Sequence, residues 1–232
     1  MQREVGAVEG RLSRAGLVGA LVELIASRRP EHVLRVAVDG PDAAGKTTLA
    51  DELARNLARR RAAIRVGIDG FHRPRSVRLR RGNLSPDGFY HDSFDYDAVR
   101  RAVLDPLGPG GDRRYRTAVF NYRIDAAVEE PVRVAPEDAV LLFDGVFMLR
   151  PELRECWDVS IFVDVSAEEA LRRALVRDVE ALGGSDVVRE RYERRYLPGQ
   201  RLYRVTAEPE LAADVVIDND DPAEPRVTKW PA

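Results

Sequence analysis

The sequence has a single cysteine and no long apolar run, and these two absences exclude several protein classes. Cys156 stands alone among 232 residues, so an intrachain disulfide is excluded, which agrees with a reducing compartment. No apolar stretch approaches the roughly 18 residues that a membrane-spanning helix needs, and the amino-terminal residues lack the apolar region of a signal peptide. We therefore expect a soluble, cytoplasmic protein without a membrane partner.

An excess of charge of either sign is also missing. The formal net charge is -2, which gives no general attraction to nucleic acid or to an anionic membrane, so any binding of phosphate must be local. Lysine is scarce, because only Lys46 and Lys229 occur among 37 basic residues, leaving 35 arginines. An arginine cluster is therefore weak evidence of a phosphate site in this chain, whereas a lysine inside a binding motif is strong evidence.

Lys46 belongs to the motif around which the chain is organised. Residues 40–48 read Gly-Pro-Asp-Ala-Ala-Gly-Lys-Thr-Thr, which fits the phosphate-loop pattern G-x-x-x-x-G-K-[ST]. Residues 33–39 predict a buried strand before the loop, and 46–61 predict a helix after it. Lys46 would reach the β- and γ-phosphates, and the Thr47 hydroxyl would complete a Mg²⁺ shell. The residues expected to contact the nucleotide are Gly40, Asp42, Ala43, Ala44, Gly45, Lys46, Thr47 and Thr48.

The remaining pattern alternates strands with helices and predicts one α/β domain over residues 1–232. Such alternation implies a parallel sheet with helices on both faces. A segment over about 70–92 is too polar for a core element and longer than an ordinary connection, so we expect it to be either functional or mobile. The tail from about residue 219 is expected to fray. The predicted elements are helices over 11–28, 46–61, 95–104, 167–182 and 185–196, strands over 33–39, 63–68, 139–143, 159–165 and 213–217, and a hairpin pairing 114–120 with 128–135.

Acidic residues end two of the predicted strands. Ligands of a doubly wound fold collect at the carboxyl ends of its strands. Asp69 would face the γ-phosphate, where it could take a proton from a hydroxyl or hold a metal-bound water, and Asp144 is placed to orient Mg²⁺. For either residue alone, the alternative is a turn-forming aspartate before glycine.

Other candidate residues are less specific. Arg173 and Arg177, four residues apart on one helix beside Arg172, could close over phosphates as a lid over about 170–200, or could form a solvated face. His72 and His91 in the polar segment either contact a substrate or lie at the surface. The hairpin aromatic residues Tyr115, Phe120 and Tyr122 either stack on a base or pack together.

These motifs together resemble the uridine kinase and phosphoribulokinase family of small phosphate-loop kinases, which also includes pantothenate kinase and nicotinamide riboside kinase. The resemblance covers roughly residues 33–220 and rests on 36–48, 69–72, 92–95, Tyr115, 141–145, 172–178 and 213–217. It implies a five-stranded parallel sheet with a β-hairpin flap over about 112–136 and a helical lid. It also implies ATP-dependent transfer to a small-molecule hydroxyl, with Asp69 matching the family's general base.

The departures from the family pattern concern the part that recognises the acceptor. Uridine kinases usually have Tyr where this chain has His72, Glu where it has Asp144, and a pyrimidine-contacting histidine where an ungapped reading places Phe120. The spacing of the lid arginines is one residue longer, and 179–184 contains no arginine. The catalytic half of the pattern is retained, whereas the half that reads the base is not.

We therefore expect an ATP- and Mg²⁺-dependent kinase whose acceptor is the 5′-hydroxyl of a nucleoside such as uridine or cytidine. Lys46, Asp69 and Arg177 would carry the transfer, and Asp69, His72, His91, Tyr115 and Phe120 would contact the acceptor. Pantothenate, nicotinamide riboside and a sugar or sugar phosphate remain alternative acceptors. A regulatory protein that binds ATP without transferring it is the alternative from another class. Homo-oligomer formation is left open.

Overall fold

The computed structural model describes residues 8–231, which form one α/β fold around a seven-stranded sheet. The strands are β1 Gly10–Arg11, β2 Leu34–Asp39, β3 Ala63–Gly67, β4 Arg114–Tyr115, β5 Phe120–Asn121, β6 Ala126–Ala127, β7 Arg133–Val134, β8 Val140–Asp144, β9 Val159–Asp164, β10 Val215–Asp218 and β11 Arg226–Lys229. The helices are α1 Arg14–Ser27, α2 Lys46–Leu57, α3 Arg75–Arg78, α4 Pro86–Asp92, α5 Tyr96–Val99, α6 Asp105–Leu107, α7 Pro151–Arg154, α8 Ala167–Arg177, α9 Val179–Leu182, α10 Ser185–Arg191, α11 Leu197–Ala207 and α12 Pro209–Ala212. A 3₁₀ turn spans Ile68–Phe71, and π turns span Arg100–Leu104 and Tyr192–Tyr196.

The sheet has the order β1-β11-β10-β9-β2-β8-β3, and its five strands from β10 to β3 are parallel. This confirms the predicted α/β class and the five parallel strands. Every residue of β2 and β8 is buried, because helices cover both faces of the sheet. Within residues 8–231, no helix combines the length and the apolar composition that crossing a membrane requires.

Two apolar cores lie on opposite faces of the sheet, and side chains alternate between them along each strand. In β8, Leu141 and Phe143 enter one core, while Leu142 enters the other. Helices α1 and α2 cover the second face together with the lid helices α8 and α10. Helices α4 and α11 cover the first face. Strand β2 contributes side chains to both cores and α2 to the second, so the chain on both sides of the loop between them is anchored by packing.

The polar segment 70–92 was expected to lie outside the core, and this expectation is wrong. It contains α3 and α4, and Phe89 and Tyr90 of α4 are buried against α11. The close approach of α4 to α11 depends on Gly199 of α11, where a Cβ atom would lie 2.6 Å from Cδ1 of Phe89. Two adjacent aromatic residues were enough to bury a short helix, although the surrounding sequence is rich in arginine.

The prediction of a frayed tail from about residue 219 is also wrong. Strand β11 pairs antiparallel with β10 and carries β1 on its outer side. Val227 lies opposite Ile217 and is 1% exposed, so the strand closes the edge of the second core. The sequence signal is weak because Val227 is the one strongly apolar residue in Arg-Val-Thr-Lys, and the residues before it are rich in Asp and Pro.

The predicted hairpin is present as two short antiparallel pairs outside the main sheet. Arg114 pairs with Val134 in β4 and β7, and Phe120 pairs with Ala127 in β5 and β6. In the lid region, the predicted helix over 167–182 begins after Ser166, whose side chain accepts from the Glu169 N–H, but it is interrupted after α8. The predicted helix over 185–196 consists of α10 and a π turn.

Candidate active site

The phosphate loop connects β2 with α2, as the motif predicts, and its backbone conformation requires glycine. Gly40 has φ +145°, and a Cβ atom there would lie 2.0 Å from the carbonyl oxygen of Val163 at the end of β9. Gly45 precedes α2 with φ +91°. Left-handed backbone of this kind is nearly free of strain only for glycine. The loop therefore lies directly on the carboxyl ends of two neighbouring strands.

A buried carboxylate holds the start of the loop. It belongs to Asp39, which the sequence alone identifies only as the last residue of a strand. Asp39 is fully buried, and its oxygens accept hydrogen bonds from the backbone N–H of Gly40 at 2.7 Å, from that of Leu149 at 3.1 Å, and from the Tyr203 hydroxyl. Burial raises the pKa of Asp39, whereas these donors and Lys46 act in the opposite direction. Asp39 thus links the loop to the segment after β8 and to α11.

Lys46 and Asp42 face each other within the loop. The ammonium group of Lys46 donates to the carbonyl oxygen of Pro41 at 2.6 Å, and burial lowers the pKa of Lys46. Burial raises the pKa of Asp42, although Lys46 and Arg177 favour its charged form. Oδ2 of Asp42 is shielded from solvent and has no hydrogen-bond partner among residues 8–231. The loop therefore holds concentrated and incompletely paired charge.

Thr47 and Asp144 form the pair of oxygen donors that the sequence predicted for a metal ion. The Thr47 hydroxyl donates to Oδ2 of Asp144 at 2.5 Å, and Arg65 donates to the other carboxylate oxygen at 2.8 Å. A hydroxyl and a carboxylate are hard oxygen ligands of the kind that suit Mg²⁺, which takes most of its other ligands from water and phosphate. No group of three or more metal-binding side chains occurs in the described chain.

Asp69 lies in the 3₁₀ turn directly after β3, next to His72. Its side chain is 71% exposed, and its carboxylate lies 3.9 Å from Nδ1 of His72. The His72 ring lies between those of Phe94 and Tyr122, with centroid distances of 4.5 and 4.6 Å. Burial lowers the pKa of His72, so the ring is neutral near pH 7. Asp69 is thus an open carboxylate at the same edge of the sheet as the loop.

The hairpin packs against the turn that carries Asp69. The Gly70 carbonyl accepts from the Val119 N–H at 2.9 Å, and a Cβ atom at Gly70 would lie 2.8 Å from the Thr117 carbonyl oxygen. Tyr115 is buried in the core of the first face, whereas Phe120 is buried in β5, which contacts the turn. Tyr122, at the tip, is the hairpin aromatic residue that contacts His72.

His91 is not brought to this region. Its side chain is exposed on α4, and its ring lies 4.7 Å from that of Tyr90. No hydrogen bond, ion pair or ring contact in the described part of the chain joins it to the phosphate loop, to Asp69 or to the hairpin. The surface alternative therefore describes His91 better than contact with a substrate.

The lid arginines differ in their surroundings. Arg173 donates to the carbonyl oxygens of Ala43 at 3.2 Å and Asn219 at 2.7 Å, so it braces the loop. Arg177 pairs with Asp178 at 2.6 Å, which raises the pKa of Arg177, and it lies close enough to Asp42 for their charges to interact. Arg172 is 66% exposed and pairs with Glu169, as expected for a solvated face.

A cavity of about 380 Å³ opens on the outer side of the loop. Its walls include Arg173 and Asn219, together with Arg14 and Glu52, which form an ion pair at 2.8 Å. Asn219 also donates to the carbonyl oxygen of Ala44 at 2.7 Å. Sequence reasoning missed Arg14, Glu52 and Asn219, because they come from three distant segments without a recognisable motif. The volume falls in the range of small-molecule sites.

Comparison with known proteins agrees with this geometry. The sequence model of the Phosphoribulokinase / Uridine kinase family matches residues 35–203, which cover the loop, Asp69, the hairpin and the lid helices. Uridine-cytidine kinase B of Dictyostelium discoideum is 33% identical over 189 residues, which are 81% of this chain and 75% of that protein. The uridine kinase of Halalkalibacterium halodurans is 26% identical over 185 residues, or 78% of this chain and 84% of that protein.

A solved structure has the same fold. A structure described as that of a "Possible Uridine Kinase" from Bacillus stearothermophilus superimposes with a TM-score of 0.65 and is 20% identical in sequence. The alignment covers 86% of this chain and 96% of the other. At 20% identity, this match supports the arrangement of the sheet and the helices but does not identify the phosphate acceptor.

Proposed function

Because the chain belongs to the Phosphoribulokinase / Uridine kinase family, we propose that it transfers the γ-phosphoryl group of ATP to a hydroxyl of a small molecule. The observation that carries this proposal is Asp69, an exposed carboxylate at the same edge of the sheet as the phosphate loop. Its charge is near enough to Asp42 in the loop to add to the effect of burial in raising the pKa of Asp42. A group at this place is suited to accept the proton of an attacking hydroxyl.

The loop and the lid supply the charge that phosphoryl transfer requires. Lys46 and the loop N–H groups would hold the β- and γ-phosphates, and Thr47 and Asp144 would hold Mg²⁺. The metal ion, when bound, neutralises charge on the phosphate oxygens. Arg65 keeps the Asp144 carboxylate in place beside Thr47. Arg177 would stabilise negative charge on the transferring group from the lid side, where it already lies close to Asp42.

The outer cavity is the proposed site of the nucleotide base. It lies beside Gly45 and Thr48, at the amino-terminal end of α2, so phosphates on the loop and a base in the cavity would belong to one ligand. Arg173 and Asn219 bind the loop backbone and also line the cavity, which couples the shape of the base site to the conformation of the loop.

As part of the same proposal, the acceptor is a nucleoside, because the relatives named above are uridine and uridine-cytidine kinases. Uridine or cytidine would place its 5′-hydroxyl at Asp69, with His72 and Phe120 beside it. A second candidate, an acceptor of different chemistry, is favoured by a specific observation in this cleft, namely a buried guanidinium group without an acidic partner. That group belongs to Arg195.

Replacing Asp69 by Asn tests the catalytic assignment. The amide keeps the shape of the side chain but cannot take a proton, so we expect kcat to fall by about 10²- to 10⁴-fold. ATP affinity should stay within a factor of about two, because Asp69 is not among the groups that hold the nucleotide. Initial rates of ADP release and ATP binding by calorimetry measure the two quantities separately.

Asp97→Asn is the matched control, since Asp97 is exposed on α5, away from the loop, and its rates should equal those of the unmodified protein. Unchanged turnover in Asp69→Asn would remove the assigned base. A wild-type protein that binds ATP tightly but releases no ADP with any acceptor would instead support the regulatory alternative. Lys46→Ala should weaken ATP binding and abolish transfer, because no other lysine occurs in the family-matched region.

A further inference from the structure

Positive charge is concentrated on the acceptor side of Asp69, around His72. Arg78 ends α3, and Arg195 lies in the π turn after α10, so the two guanidinium groups come from segments far apart in the chain. Both groups are near enough to His72 to add to the effect of burial in lowering the pKa of its ring. π turns are rare and frequently occur at functional sites, which makes the position of Arg195 informative.

Arg195 is buried without an acidic partner. The residue is 6% exposed, and its Nη1 donates to the carbonyl oxygens of Asn83 at 3.1 Å and Ser85 at 3.4 Å. No carboxylate lies within ion-pair distance of it in the described chain. Burial lowers the pKa of Arg195, and so do the charges of Arg191 and Arg78, whereas Tyr196 and the carboxylate of Asp42, which lies beyond ion-pair distance, raise it. A buried guanidinium group without a directly paired carboxylate favours the binding of an anionic ligand.

The other buried arginines of the described chain have either an ion pair or a hydrogen bond on every guanidinium nitrogen, which distinguishes them from Arg195. Arg35 pairs with Asp158 at 3.2 Å, and Arg150 pairs with Glu152 at 2.8 Å. Arg61 has no ion pair, but each of its three nitrogens donates to a backbone carbonyl. Among residues 8–231, the hydrogen bonds of Arg195 use one nitrogen alone.

Arg78 also has unused donors. Its Nε is shielded from solvent and has no hydrogen-bond partner among the described residues. Its Nη2 donates to the Tyr122 carbonyl oxygen at 3.3 Å and lies 3.7 Å from Oδ1 of Asp125. That carboxylate oxygen already accepts from the Arg75 N–H at 2.7 Å. Arg78 is therefore only weakly neutralised by the hairpin.

We infer that the phosphate acceptor carries an anionic group, a carboxylate or a phosphate, which Arg195 and Arg78 bind while the acceptor hydroxyl lies at Asp69. This inference rests on the proposed kinase function and narrows its substrate class from a neutral nucleoside to an anionic hydroxylated metabolite. Guanidinium groups match both carboxylate and phosphate in geometry and charge. The anion would give Arg195 the direct ion pair that it lacks in the described chain, and would add to the weak neutralisation of Arg78 by Asp125.

Steady-state kinetics with a panel of acceptors tests the inference. The panel contains uridine and cytidine as neutral acceptors, pantothenate and D-glycerate as carboxylates, and ribulose 5-phosphate as a phosphate ester. We expect turnover with an anionic acceptor, and a KM for it that rises about 30-fold or more in Arg195→Gln and in Arg78→Gln. The KM for ATP should not change. Comparing turnover of pantothenate and D-glycerate with turnover of ribulose 5-phosphate shows whether the anionic group is a carboxylate or a phosphate.

Arg194→Gln is the matched control, because Arg194 neighbours Arg195 but is 63% exposed and pairs with Glu190. Its KM values should equal those of the unmodified protein. Arg195 also donates to the carbonyl oxygens of Asn83 and Ser85, so its replacement could destabilise the fold. The thermal unfolding temperature of each variant is therefore measured. Arg78→Gln provides an independent test if Arg195→Gln is unstable.

A binding measurement tests the anion site directly, even if the acceptor of this protein is not in the panel. The NMR signals of His72, assigned among three histidines with His72→Gln, are titrated with inorganic phosphate and separately with D-glycerate. A non-hydrolysable ATP analogue and Mg²⁺ occupy the phosphate loop throughout. Asp69 raises the pKa of His72, whereas Arg78 and Arg195 lower it. An anion bound between the arginines should therefore raise the pKa of His72, and Arg195→Gln should abolish the response to the probe.

Two results would overturn the inference. One is turnover of uridine or cytidine with a KM that neither arginine variant changes, and the other is a His72 signal that neither probe moves. Both results leave the kinase proposal intact, provided that ADP release with some acceptor depends on Lys46. The kinase proposal fails separately, if the wild-type protein does not release ADP with any acceptor.

Discussion

At the scale of single residues, Gly40 shows how closely the phosphate loop is fitted to the sheet. A Cβ atom would overlap the Val163 carbonyl oxygen, and neither backbone segment can move without displacing a buried strand. We expect Gly40→Ala to lower the free energy of unfolding by on the order of 1–3 kcal/mol, since its backbone region is almost reserved for glycine. ATP affinity should fall with it. Urea unfolding and calorimetry measure the two effects.

Gly19→Ala provides the matched control for the same change in side chain. Gly19 is an exposed residue of α1, and the space that a Cβ atom would occupy there is open. Alanine favours a helix, so this variant should gain about 0.5–1 kcal/mol in unfolding free energy and bind ATP normally. Equal stabilities of the two variants would show that the contact between Gly40 and Val163 is not close.

At the scale of elements, the hairpin is held to the acceptor side of the cleft by its tip. Asp125 has φ +53°, and its carboxylate accepts from the Arg75 N–H at the start of α3. We expect Asp125→Ala to release the tip, because alanine lacks the acceptor and is strained at positive φ. Hydrogen–deuterium exchange over 120–127 should accelerate, and the KM for the acceptor should rise while the KM for ATP stays constant.

Asp125→Asn separates the anchoring of the tip from its charge. Asparagine keeps an oxygen acceptor and tolerates positive φ, so exchange over 120–127 should remain close to that of the unmodified protein. If exchange in the alanine variant equalled that of the asparagine variant, the tip would be held by other contacts, such as that between Tyr122 and His72.

At the scale of the whole molecule, the last strand is part of the cooperative fold. Strand β11 joins the carboxyl-terminal segment to the sheet, and β1 joins the amino-terminal segment to β11. Removing two methyl groups from Val227, which is 1% exposed, should lower the free energy of unfolding by roughly 1–3 kcal/mol. Urea unfolding of Val227→Ala measures this change, with a single transition expected.

Val205→Ala is the same substitution at a surface position. Val205 is 82% exposed on α11, so its replacement should change the unfolding free energy by no more than about 0.5 kcal/mol. A Val227→Ala variant as stable as Val205→Ala would mean that β11 is dispensable for the fold.

The sequence by itself determined the elements whose signals are local. The glycines and the lysine of residues 40–48 define a loop wherever they occur between a strand and a helix, because the backbone conformation and the phosphate contact depend on neighbours in the chain. The five parallel strands followed from apolar runs that alternate with helical patterns. Asp69 and Asp144 were identified for the same reason, since each directly follows or ends such a run.

Only the tertiary structure decided which distant residues share a cleft. Arg78 and Arg195 are separated by more than a hundred positions in a chain full of arginine. The missing ion pair of Arg195 and the weak one of Arg78 are visible only once the surrounding side chains are in place. Asn219, Arg14 and Glu52 meet at the outer cavity for an equally non-local reason. Burial and pairing of charge are properties of the packed molecule, so no spacing along the chain encodes them.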